Sequence, residues 1–105
     1  MSWVYLAAAG LFEIGWPLGL KWAQEPAKTV QGVVLAVVSM GISGFLLWLA
    51  QRDIPLGTAY AVWTGIGAAG TFAVGIWLFG DPSSLGRYLG VLLIVAGVVT
   101  LKLAQ

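Results

Sequence analysis

The segment Leu11-Phe-Glu-Ile-Gly-Trp16 places one carboxylate, Glu13, near the middle of an apolar run from Trp3 to Leu20. A charged side chain at the centre of a bilayer costs roughly 2.5–3.5 kcal/mol on insertion scales, so such a residue needs compensation. The five basic residues, Lys21, Lys28, Arg52, Arg87 and Lys102, all fall at the ends of apolar runs or in connectors. None shares the depth of Glu13. Its charge must therefore be balanced by a proton or by a cation from outside the chain. On a helix, Ala9, Gly10, Trp16 and Pro17 share its face at three- and four-residue spacing. Small residues before the acid let a helix or ligand approach. Trp16, one turn later, offers an aromatic face and an N–H donor, and an acid beside an aromatic suits a delocalised or quaternary cation. Pro17 removes the hydrogen bond to the Glu13 carbonyl, which shapes the site or simply kinks the helix.

Other polar groups lie in two further runs. Ser39 and Ser43 are four apart on one face, beside Gly41 and Gly44. A buried serine donates either to a carboxylate or to backbone. The block Pro55 to Gly67 sets Tyr60 and Trp63 three apart, with Gly65 and Gly67 behind them. The tyrosine hydroxyl and the indole N–H are donors suited to a carboxylate or a pocket wall. The two glycines permit a bend, useful in a helix that opens to either side, and equally permit close helix packing. A last run carries Gly86, Gly90 and Gly97 on one stripe, as helix association in membranes prefers, and reads as the dimerising helix.

These residues need a scaffold, and composition restricts it. The 105-residue chain is 60% hydrophobic and 9% charged, where soluble domains carry about 25% charged residues. It has no Cys and no His, so thiolate chemistry and the commonest metal ligand and catalytic base are missing. No cofactor is expected, and no enzyme, since no nucleophile–base pair or metal set is visible. A net charge of +1 gives no reason to expect a nucleic-acid partner. About 20 apolar residues cross a hydrocarbon core. Four stretches suffice, at about 3–22, 30–50, 56–79 and 85–103. Pro26, Pro55 and Pro82 mark the connectors. Continuous rather than alternating apolarity excludes a β-barrel. The expected fold is an all-α membrane protein, one four-helix domain over residues 1–105. The first run lacks a basic leader and reads as a retained helix rather than a signal peptide.

Orientation stays open. Four spans put both termini, Arg52 and Lys102 on one side, and Lys21, Lys28 and Arg87 on the other. Basic residues in short loops normally set topology through a clear cytoplasmic excess. Here the excess is about one, compatible with one fixed topology or with insertion both ways. Two copies in opposite orientations would generate the inverted-repeat symmetry of larger transporters around a midplane site.

Taken together, Met1-Ser-Trp, Ala9-Gly-Leu-Phe-Glu-Ile-Gly-Trp16, Gly19-Leu-Lys21, the Pro55–Gly67 block and Gly97-Val-Val-Thr-Leu-Lys102 resemble the small multidrug resistance family of four-helix transporters. Trp16 and Thr64-Gly-Ile-Gly67 after Tyr60 and Trp63 favour its guanidinium-exporter (SugE-like) branch. The resemblance implies a multi-pass protein of the bacterial inner membrane, an antiparallel dual-topology homodimer, and proton-coupled export of guanidinium-type cations. It carries Glu13 over as the shared proton and substrate site, ringed by Trp16, Ser43, Tyr60 and Trp63. Pro17, Gly44 and Asp81 depart from the family's usual residues. Two alternatives stand beside this reading. One is a multidrug exporter of hydrophobic quaternary ammonium ions. The other is a small structural or regulatory membrane subunit in which a protonated Glu13 glues helices together.

Overall fold

In the computed structural model, which describes residues 1–104, four long helices follow one another: α1 Ser2–Ala23, α2 Thr29–Ala50, α3 Leu56–Phe79 and α4 Leu85–Ala104. Their limits fall within one residue of the four apolar stretches. Each is long and apolar enough to cross a membrane. At 1.5 Å per residue, 20 to 24 residues reach at least about 30 Å, the hydrocarbon thickness. The proline marks act at the breaks. Pro55, extended at φ −54° and ψ 144°, separates α2 from α3. Pro26 opens a short 3-10 turn, Pro26–Lys28, ahead of α2. Gly80 ends α3 in the left-handed region, φ 64°, which a side chain would oppose.

Helix α1 is the hub. It packs along α2 and α3, and α3 carries α4 on its other side. The result is a slab of 45 × 34 × 17 Å. An apolar cluster of Leu6, Ala50, Ile54, Ala59 and Val62 closes the end where the chain begins, joined by Trp3, Val98 and Leu101. Ser2 Oγ donates to Asp53 Oδ2 there at 2.6 Å. Arg52 stacks on Trp48 at 5.0 Å and Lys102 on Trp3 at 4.9 Å. Both basic residues of that side thus rest on aromatic rings of the kind that sit at a membrane–water interface.

Elsewhere burial falls to small residues. A Cβ on Gly19 would meet the Gly32 carbonyl oxygen at 2.5 Å, so the α1 and α2 backbones touch. Apolar side chains such as Val33, Val37 and Phe45 face outward. Lipid is as apolar as they are, so helix contact rests on close packing rather than on removing apolar surface from water.

A carboxylate groove between α1 and α3

Glu13 lies partly buried on the α3 side of α1. Gly67 of α3 makes room for it: a Cβ there would come within 2.5 Å of Glu13 Cγ. Trp16, one turn on, donates its indole N–H to Glu13 Oε1. The i, i+3 spacing that pairs them was readable in the sequence. Among the described residues the only ion pair is Lys28–Glu25, exposed and 3.6 Å long, so no cationic side chain neutralises Glu13. The acid opens into a groove of about 400 Å³ whose walls include Trp16, Pro17, Thr64 and Phe72. α1 continues as helix through Pro17, which forms part of that wall.

Ser43, Trp63 and Tyr60 gather at a second place. Ser43, 1% exposed, donates to the Ala9 carbonyl at 2.6 Å. It also accepts the Trp63 indole N–H at 2.8 Å. Its hydroxyl proton is therefore spent on the backbone of a neighbouring helix, one turn before Glu13, and not on the carboxylate. Tyr60, 55% exposed, lies against the Trp63 ring with centroids 5.4 Å apart. The residues expected to ring one acid thus form two groups, Glu13–Trp16 in the groove and Ser43–Trp63–Tyr60 beside it, linked through the Ala9 turn.

Gly65 and Gly67, the expected points of flexibility, both lie inside α3. The helix is unbroken over Leu56–Phe79. Gly65 admits Val98 of α4 as Gly67 admits Glu13. Gly90 and Gly97 are exposed, and nothing lies within 4 Å of a Cβ built on either. Sequence reasoning passed over Thr71 and Asp81 as groove residues. Thr71 follows Thr64 by seven residues, so a shared face was predictable. Asp81 sits in a connector, and no periodicity could place it.

Glu13 is thus a partly buried acid with no basic partner among the described residues, opening into a groove between membrane-spanning helices. Over residues 1–94 the sequence matches the family model described as Small Multidrug Resistance protein. It is 47% identical over 105 residues to a guanidinium exporter of Yersinia pseudotuberculosis, covering all of both chains. It is 44% identical over 104 residues to guanidinium exporters of Salmonella typhimurium and Citrobacter freundii, covering 99% of this chain and 98% of each relative. The chain belongs to the small multidrug resistance family. It is a transporter rather than an enzyme, a multi-pass protein of the bacterial inner membrane.

Proposed function

We propose that the protein is a proton-coupled antiporter exporting guanidinium and small substituted guanidinium cations, working as an antiparallel homodimer with one Glu13 from each copy. The observation that carries this is Glu13 itself, unpaired with any basic group among the described residues and open to the groove. The names of relatives aligned over their whole length supply the substrate class. Trp16 occupies Oε1, leaving Oε2 without a donor among the described residues. A planar guanidinium presents N–H groups in a fork that matches carboxylate geometry. A proton and a cation compete for the same oxygens, so loading one releases the other. That exclusion is the coupling. Small basic-residue asymmetry between the two membrane faces permits insertion in both orientations, which the antiparallel pair requires.

A quaternary ammonium exporter is the competing reading, favoured by the apolar walls Trp16, Pro17 and Phe72. Such an ion donates no hydrogen bond. Each buried polar group it leaves unpaired costs about 1–3 kcal/mol, roughly tenfold in affinity for one group. The test is uptake of labelled guanidinium into proteoliposomes under a proton gradient, with tetraphenylphosphonium as competitor. We expect guanidinium to be transported and tetraphenylphosphonium to compete weakly. Glu13→Gln should abolish both uptake and its dependence on the gradient while helicity by circular dichroism stays unchanged. Gradient-driven uptake by that variant would remove Glu13 from the mechanism, and strong tetraphenylphosphonium transport would move the chain to the competing reading.

A further inference from the structure

The groove at Glu13 reaches a second carboxylate, Asp81, with Thr71 also in its wall. Asp81 belongs to the connector after α3, yet its side chain folds back onto that helix. A Cβ on Gly75 would lie 3.2 Å from Asp81 Cγ and closer still to one carboxylate oxygen. The acid therefore lies against bare backbone that only glycine leaves open. The connector is fixed around it, with Gly80 reversing the chain and the Asp81 N–H donating to the Gly75 carbonyl at 3.1 Å. The same side chain lines an adjoining cavity of about 200 Å³ together with Lys21, and the two do not form an ion pair. The protein thus holds a carboxylate at the connector end of the groove without an ion-pair partner among the described residues.

The geometry points to Asp81 as a substrate-positioning residue, an outer station that receives the cation at the groove mouth before Glu13 takes it. This rests on the reading of Glu13 as the substrate carboxylate. A cation entering the groove loses water before it reaches Glu13, and a fixed negative charge at the mouth raises its local concentration. Asp81 is exposed, so it holds the cation weakly and lets it move on. It acts on capture rather than on turnover. Lys21, beside it, opposes the same cation.

Kinetics of guanidinium transport in proteoliposomes, at low and high ionic strength, test this. Asp81→Asn should raise KM about fivefold at low salt, the upper range for an exposed charge, and leave kcat unchanged. Asp81→Glu should restore KM, since it keeps the charge. High salt should bring wild type and Asp81→Asn together. Lys21→Gln should lower KM, and it decides the matter if Asp81→Asn does not fold. A wild-type KM in Asp81→Asn, or in Lys21→Gln, overturns the proposal, as does a joint loss of kcat and KM that Asp81→Glu does not rescue. Those results leave guanidinium transport by the wild type intact. Failure of the wild type to transport guanidinium at all would instead sink the underlying reading of Glu13.

Discussion

Helices α1 and α4 are both apolar spans, yet one packs against two helices of its own chain and the other along only one. α1 meets α2 through Gly15, Gly19 and Gly32, where an added methyl group would run into a neighbouring side chain or backbone. α4 buries no residue, and its three glycines, Gly86, Gly90 and Gly97, face open space. Glycine has one chemical identity and two uses here. In α1 and α2 it brings two helices of one chain together. In α4 it leaves a thin surface that the single chain does not use. The difference separates what one chain does alone, holding Glu13 against Gly67, from a surface open to the second copy proposed above.

The comparison breaks first at Gly32. A Cβ there would sit 2.8 Å from the Ala23 Cα, a backbone atom that cannot rotate away. Gly32→Leu should destabilise the protomer by about 3 kcal/mol, the upper range for overpacking. Gly41→Leu on the same helix, with nothing within 4 Å, should change stability by less than about 0.5 kcal/mol. Unfolding in detergent by both variants, followed by circular dichroism, measures the gap. Equal losses would mean that the α1–α2 seam is no tighter than the open face.

A second, smaller effect sharpens the other half. Gly97→Leu should leave the protomer's unfolding midpoint where it is and weaken association of two copies about tenfold, because a small-residue stripe acts through close approach. Dilution in lipid with a fluorescence-transfer pair reads the association. An unchanged dimer would place the interface elsewhere than on the Gly90–Gly97 stripe.

Much of this was legible along the chain. Run length and the proline marks set the four helices, because a span must match a fixed hydrocarbon thickness. The Glu13–Trp16 pair was legible because i, i+3 neighbours meet on any helix. Contacts between helices were not. Gly67 reads equally as a hinge or as a packing position, and only the register of α3 against α1 shows that it faces Glu13. Gly19 and Gly32, which join α1 to α2, carry no mark distinguishing them from Gly41 and Gly44, which join nothing. Asp81 escaped because a connector's path depends on one left-handed residue, Gly80, and not on any repeating pattern.

Ser43 tests the boundary between holding the fold and touching a cation. Its O–H donates to the Ala9 carbonyl and its oxygen accepts from the Trp63 N–H. Ser43→Ala removes both bonds. The Ala9 carbonyl keeps its helical partner, the N–H four residues on, so its loss is small. The Trp63 N–H is left without an acceptor in a part-buried place, and that orphan sets the cost. We expect about 1 kcal/mol, the low end for an unsatisfied donor. Trp63→Phe removes the donor, so the double variant Ser43→Ala with Trp63→Phe should be more stable than the sum of the single losses predicts. A double-mutant cycle on unfolding measures that coupling. Additive losses would mean that the indole finds another acceptor. The same variants read in transport decide the second role. If Ser43 only ties α2 to the turn before Glu13, guanidinium KM should move no further in Ser43→Ala than in Trp63→Phe. A KM rise confined to Ser43→Ala would mean that the hydroxyl leaves Ala9 to meet the cation when the groove is loaded.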